Sequence, residues 1–272
     1  MDEREKKLQV REAGENKNQI YDVAMEAGRI LLQNGAEISR VEETMERICR
    51  YYGAESMDSF VLSNGIFITG GYESKKSYAR VGHIPVGGAS LDKVVAVNQL
   101  SREVEEGCYA TPELVRQKLE EIAKMPTGKK WHKILASGIG SGFFCVLTGG
   151  NFQDCIAAFI AGIVLYIYVI FIGEKYLSKI LGNILGGAII VAACILCFRF
   201  NIGNHLETII SGAIMPMIPG VAFANGIRDI ANGDYIAGAV RLLDAILRFM
   251  CIAIGVGMAF SIYHYLAGGV VL

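Results

Sequence analysis

The sequence predicts an α-helical membrane protein, with five transmembrane helices following a cytosolic α+β N-terminal domain. Three observations predict it. Charge falls abruptly, from 40 Asp, Glu, Lys or Arg among the first 130 residues to 13 among the 142 that begin at Trp131. The second part holds five stretches near the ~20 apolar residues with which a helix crosses about 30 Å of hydrocarbon. The first part carries shorter segments of helix or strand period, punctuated by turn residues. The mean hydropathy of +0.37 averages these two unlike regions, residues 1–130 and 131–272.

In the N-terminal region, Ile20, Val23, Ala24, Ala27, Ile30 and Leu31 recur at helical spacing over Asn18–Asn34, and Asn34-Gly35 closes that helix. A second helix is expected over Ile38–Tyr52, ending at Gly53. Two strand-like runs follow, Ser59–Thr69 and Ser77–Gly82, with Gly70-Gly71 and charged residues between them as in a hairpin. Helices over Leu91–Glu106 and Pro112–Lys124 complete the domain, the latter with Thr111 at the N-cap and Pro at the first helical position. Lys124–Lys130, containing Pro126 and Gly128, reads as a short linker.

The five spans fall near Trp131–Gly150, Asp154–Gly173, Ile180–Phe198, Leu206–Ile227 and Ile236–Leu266. Lysine and arginine mark the cytoplasmic connections. Lys124, Lys129, Lys130 and Lys133 precede the first span, Lys175 and Lys179 separate the second from the third, and Arg228 and Arg241 flank the last connection. The opposite side offers Arg199. The expected orientation therefore places the N-terminal domain in the cytosol and the C-terminus outside. The N-terminus, MDEREKKLQVREAGENKNQ, lacks the apolar run of a secretory signal, in agreement with that placement.

Composition also excludes. A net charge of -1 leaves no basic excess for nucleic acid. Seven cysteines, odd in number and mostly set in apolar runs, imply no disulfide framework. Cys194-x-x-Cys197 has neither a second pair nor nearby histidines, so no metal and no cofactor is expected. The N-terminal region has no GxSxG, no HExxH and no phosphate-cradling glycine loop, so the chain is read as no enzyme. A hydrolytic grouping of Asp58, Ser59 or Ser63 and His83 would be the basis of the alternative, a membrane-tethered enzyme. Glycines within the spans, including the Gly182/Gly186 pair, suit close helix packing within the chain or in a homo-oligomer.

Two regions depart from plain anchors. In Met215-Pro-Met-Ile-Pro-Gly220, Pro216 and Pro219 each remove a backbone donor in the middle of the fourth span. Non-helical backbone at that depth is tolerated where protein or a wet cavity satisfies it, and broken helices build the substrate sites of many transporters. The second region holds Asn225, Arg228, Asp229 and Asp234, followed by Arg241, Asp244 and Arg248. The last three share one helical face, so Asp244 can neutralise either guanidinium. Ionised groups near a bilayer face a bundle interior or an aqueous path. In the N-terminal domain, Glu37, Arg40, Glu42, Glu43 and Arg47 form a charge run along the second helix, read as a solvated face stitched by i,i+4 pairs.

The segment Gly28–Arg47, the run Asn98-Gln-Leu-Ser-Arg102, and Pro219-Gly220 with Asn225-Gly-Ile-Arg-Asp229 resemble the threonine/serine exporter family of bacterial membrane proteins. The resemblance implies efflux of a small polar metabolite. It also implies a split arrangement, in which a chain of this length works with a second membrane subunit of the same family and is associated with succinate or related dicarboxylates. Family motif positions carry over as Asn34, Glu37, Arg40 and Glu42 in the N-terminal domain and Pro219, Gly220, Asn225, Arg228 and Asp229 in the membrane half. The leading reading is thus a subunit of a secondary exporter of the inner membrane. Arg228, Arg241 or Arg248 would hold a carboxylate, and Asp229, Asp234 or Asp244 would couple a proton or balance an ammonium. A regulatory or scaffold subunit is the remaining alternative.

Overall fold

The computed structural model describes residues 3–54, 56–72, 76–85, 87–126 and 128–266. The expected outward C-terminus lies outside the described residues. Packing divides the chain into two compact units, Met1–Thr127 with Val221–Leu242, and Gly128–Gly220 with Leu243–Leu272. Val221–Leu242, which the sequence groups with the membrane half, therefore packs with the N-terminal domain.

The first unit opens with α1 (Glu3–Gln33) and α2 (Ile38–Tyr51). Helix α1 begins earlier than its apolar stripe, because Glu, Lys, Gln and Arg have high helix propensity. It ends in a Schellman turn: Gly35 takes φ 85°, Gly35 N–H reaches Leu32 O at 3.2 Å, and Ala36 N–H reaches Leu31 O at 3.0 Å. Helix α2 buries Ile38, Val41, Met45, Ile48 and Cys49.

Three strands follow as an antiparallel meander, β1 (Ser56–Leu62), β2 (Gly65–Tyr72) and β3 (Lys76–His83). The single strand expected over Ser59–Thr69 is in fact a hairpin that turns at Ser63-Asn64, with Leu62 opposite Gly65. Asn64-Gly65 is a strong hairpin signal that the apolar run around it masked. Gly70-Gly71, expected to be a turn, lies within β2. A Cβ at Gly70 would collide with the Tyr21 ring, so glycine there serves a close approach of α1 to the sheet. Val61, Ile66 and Ile68 face the core with Tyr21, Leu31 and Ile48.

Helices α3 (Leu91–Glu105) and α4 (Pro112–Lys124) follow the sequence expectation closely, although the Thr111 hydroxyl makes no capping bond. The unit is completed far along the chain by α10 (Gly220–Ala231) and the start of α11 (Tyr235–Leu266), whose Ala237 enters the same core. Gly226 and Gly238 let these two helices touch backbone to backbone: a Cβ at Gly238 would sit 2.7 Å from Gly226 O.

The second unit contains α5 (Lys130–Leu147), α6 (Phe152–Tyr168), α7 (Glu174–Tyr176), α8 (Lys179–Arg199), α9 (Leu206–Ile214) and the remainder of α11. A π-helical turn, Val169–Gly173, extends α6, and a 3-10 turn, Met215–Met217, extends α9. Among the described residues, three helical segments are long and apolar enough to cross a membrane, Phe152–Gly173, Lys179–Arg199 and Tyr235–Leu266. A fourth span results if Leu206–Met217 and Gly220–Ala231 are taken as one broken helix. The expected first span, α5, opens with Lys130, His132 and Lys133, so its apolar run from Ile134 to Leu147 covers only about 21 Å at 1.5 Å per residue.

Small residues hold this unit together. Ser137 Oγ donates to Gly162 O at 2.9 Å across α5 and α6, and Gly187 and Gly255 bring α8 and α11 into backbone contact. Gly182 and Gly186 face Tyr168 and Met217 of the same chain, so this spacing is occupied by internal packing. Cys194 and Cys197 are free and buried, and among the described residues no group of three or more metal-ligating side chains converges.

Candidate functional site

Helix α2 starts with a deficit. Its first N–H groups have no partner within the helix, and its N-cap residue, Glu37, makes no capping bond with its side chain. The cap comes from elsewhere in the first unit. Asp229, on α10, is fully buried, and its Oδ1 accepts the Ile38 N–H at 3.2 Å. Its Oδ2 accepts from Arg241 Nη1 at 2.7 Å, and the Arg241 side chain is only 12% exposed.

The same two helices seize the three preceding residues of the α1–α2 loop. Asn225 Nδ2 donates to Gly35 O at 2.9 Å, Arg241 Nη2 donates to Ala36 O at 2.9 Å, and Arg228 pairs with the Glu37 carboxylate. Four consecutive residues, Gly35 to Ile38, are thus each held by a side chain roughly 190 positions or more away in sequence. A second Schellman turn at Gly233 (φ 97°), with Asp234 N–H on Asp229 O at 2.9 Å, sets the α10–α11 corner that aims Asp229 and Arg241 at the loop.

The two ion pairs differ in kind. Asp229–Arg241 is buried, where removing one partner strands a charge. Arg228–Glu37 lies at the surface, with Arg228 62% exposed, and such pairs contribute little to stability. Glu42 lies nearby, half-buried. Burial, then the Asp234 carboxylate, raises its pKa above the usual carboxylate value, against the Val61 N–H that lowers it.

Not every expected residue joins this cluster. Asn34 caps α1 through Nδ2 on Ile30 O at 2.7 Å and receives the Ser90 N–H on its own carbonyl. Arg40 is exposed and pairs with Glu43, which also binds Arg47, so only part of the expected stitched face forms along α2. In the second unit, Asp244 takes Arg248 at 2.7 Å and not Arg241. Pro216 lies in the 3-10 turn after α9, and Pro219 immediately precedes Gly220, the first residue of α10. Asp58 and His83 are offset by four residue pairs along the sheet, about 13 Å at 3.3 Å per residue, so the hydrolytic grouping does not assemble.

Sequence reading missed a second buried carboxylate. Asp154, at the start of α6, accepts Asn151 N–H at 3.0 Å, Asn204 N–H at 2.6 Å and His205 N–H at 2.9 Å, with His205 Nδ1 2.8 Å from Oδ2. Its signal was present as Asn151-x-x-Asp154, a capping box before an apolar run.

The family profile described as threonine/serine exporter (ThrE) matches residues 22–263. The chain belongs to this threonine/serine exporter family. All of the clamp, from Gly35 to Arg241, lies inside the matched region. Among relatives in the exporter family, the threonine/serine exporter of Corynebacterium glutamicum is 25% identical over 256 residues, which cover 91% of this chain and 52% of that protein. The chain thus spans about half the length of that relative. The Escherichia coli (strain K12) protein named probable succinate transporter subunit YjjP is 22% identical over 256 residues, covering 92% of this chain and 96% of that protein. No solved structure matches the chain.

Proposed function

We propose that this chain is a subunit of a secondary exporter in the bacterial inner membrane, moving a small polar metabolite out of the cytoplasm. Threonine, serine and dicarboxylates such as succinate are the candidate cargoes, since relatives carry those names. A second membrane subunit of the same family completes the transporter, with or without a homo-oligomer of this chain. The half-length match to one relative and the near full-length match to a protein named a subunit support that division. The first unit faces the cytosol, and α5 counts as the fifth span, its opening lysines reaching out to the interface.

The observation that carries the reading is the clamp of the α1–α2 loop by α10 and α11. Arg241 and Arg248 are committed to Asp229 and Asp244. Arg228 is held only at the surface by Glu37, and a guanidinium binds a carboxylate through paired donors. Arg228 therefore takes the substrate carboxylate as Glu37 lets go. Glu42 and Asp234 supply negative charge for an ammonium group or a proton. The Pro216–Pro219 interruption separates α9 from α10, and such breaks are where many transporters receive cargo or ion. With no phosphate-cradling motif in the chain, an ion gradient is the energy source.

The test is efflux of radiolabelled threonine, serine and succinate from liposomes holding this chain, with and without a second membrane subunit of the same family. One cargo should move in the two-subunit vesicles, and Arg228→Gln should slow it at least about tenfold, the scale of one lost charge-assisted contact. Absence of all three activities from the complete pair sinks the proposal. The engagement of Asn225, Arg228, Asp229 and Arg241 by the α1–α2 loop favours one second reading, a scaffold subunit. There, Arg228→Gln alters the amount of complex recovered and leaves the kinetics of the recovered complex unchanged.

A further inference from the structure

Five lysines of the second unit have no carboxylate within ion-pairing distance among the described residues. They are Lys129, Lys130 and Lys133 around the start of α5, Lys175 in α7 and Lys179, the first residue of α8. In the first unit, by contrast, Lys118 and Lys124 pair with Glu121 and Glu120. The two lysine-bearing segments are some forty positions apart in sequence, yet they meet: the Lys130 ammonium stands 5.6 Å from the centre of the Phe171 ring. Phe171 lies in the π-helical turn, four residues before Lys175, whose own ammonium is 5.2 Å from the centre of the Tyr176 ring. The turn is tied down. Tyr168 Oη donates to Gly182 O at 3.0 Å, and Ser178 Oγ accepts the Leu181 N–H at 3.3 Å as the N-cap of α8. A ring face attracts an ammonium without neutralising it, so the N–H donors stay open to an anion.

We propose that this corner of the second unit binds an anionic phospholipid, with Lys130 and Lys175 holding its phosphate and Lys129, Lys133 and Lys179 adding to the positive field. Charge selects the headgroup. Residues 126–133 and 169–181 hold five lysines and one acid, Glu174, and such a cluster at the end of a span attracts anionic lipid. The apolar surroundings select a lipid over a free anion. Trp131, Phe171 and Tyr176 are exposed beside the lysines, where amphipathic and aromatic rings suit the membrane–water boundary. Helices α5 and α6 run antiparallel, since Gly138 packs against Phe159 and Ile163 while Gly142 packs against Cys155. The exposed Leu135 and Ile167 therefore lie at the same end as the lysines and offer apolar surface to the acyl chains. The inference takes from the proposed function only that these helices lie in a bilayer; it needs neither the cargo nor the direction of transport.

The test uses the full chain in nanodiscs of phosphatidylcholine, with and without phosphatidylglycerol, read by native mass spectrometry of the lipids retained and by thermal melting. The wild-type chain should retain phosphatidylglycerol in preference to phosphatidylcholine and melt higher in discs that contain it. Lys130→Gln and Lys175→Gln should each weaken that retention about fivefold, the scale of one lysine at a charged headgroup, and the double change by the product of the two. Lys118→Gln removes the same charge from the first unit and should leave retention as it was. In phosphatidylcholine alone all four chains should melt together. Equal retention of the two lipids by the wild type, or an equal loss in Lys118→Gln, overturns the proposal. So does a melting loss of Lys130→Gln in phosphatidylcholine that accounts for its whole deficit, since the lysine would then serve only to pack on Phe171. Soluble glycerol phosphate added to phosphatidylcholine discs should change nothing; a shift matching that of phosphatidylglycerol would make the corner a site for a free anion and overturn the lipid. No cargo enters these measurements, so this outcome and that of the efflux test fall independently.

Discussion

Asp229 and Asp154 are both fully buried carboxylates, one in each compact unit, and each closes the start of a helix. They reach neutrality by different means. Asp229 has one backbone donor and a nearly buried guanidinium, so its charge depends on Arg241. Asp154 gathers three backbone N–H groups at the N-termini of α6 and α9, and its imidazole partner is 62% exposed. The first is a buried ion pair. The second is an anion held by peptide dipoles. The difference teaches which partner matters: the cation in one unit, the backbone in the other.

The largest effect should come from breaking the ion pair. Asp229→Ala or Arg241→Ala should each destabilise the full chain by about 3–5 kcal/mol, because each strands an opposite charge away from water. Asp229→Leu combined with Arg241→Met should cost much less than the two single losses together, in a double-mutant cycle read by denaturant unfolding in detergent. Single losses below about 1 kcal/mol would mean that water reaches the pair, and the contrast between the two carboxylates would collapse.

Asp154 gives the complementary measurement. Asp154→Asn replaces one acceptor oxygen with a donor facing N–H groups and should cost about 2 kcal/mol. His205→Ala should cost less than about 1 kcal/mol, since an exposed partner adds little once the dipoles remain. A reversed ranking, with His205→Ala the more damaging, would make Asp154 a second ion pair.

The sequence exposed one side of this chemistry and concealed the other. Asn225, Arg228, Asp229 and Arg241 were legible, because charge in an apolar half must have a partner. Their partners were not, because Gly35 O, Ala36 O and the Ile38 N–H are backbone groups with no side-chain signature. An indirect sign existed: Glu37 is a poor N-cap residue before a strongly amphipathic helix, so a cap had to come from a distant element. The charge run on α2 misled for a similar reason. Helical spacing pairs Arg40 and Arg47 with Glu43, but it cannot show that Glu37 and Glu42 turn toward another part of the chain. Among the described residues, long apolar helices lie where hydropathy places the second, third and fifth stretches, while lysines shorten the apolar run of α5 and Pro216–Pro219 separate α9 from α10.

Glu42 sharpens the comparison at the smallest scale, as a half-buried carboxylate in the first unit whose close neighbour, Asp234, has the same sign. Its pKa lies above the ordinary 4.5 in the folded chain, mainly through burial and then through that neighbour. Between the unfolded and folded values the native state holds more protons than the unfolded one, so stability falls as pH rises through that window. At neutral pH the ionised group is therefore a net liability. Glu42→Gln should unfold at a higher temperature than the parent at pH 7, and the gap should close as the pH is lowered to about 4, near the ordinary carboxylate value. The Val61 N–H sets a limit on the gain, because an amide accepts from it less strongly than a carboxylate. Parallel melting curves at both pH values would show that Glu42 stays as well solvated folded as unfolded, leaving Asp229 the carboxylate on which the first unit's electrostatics turn.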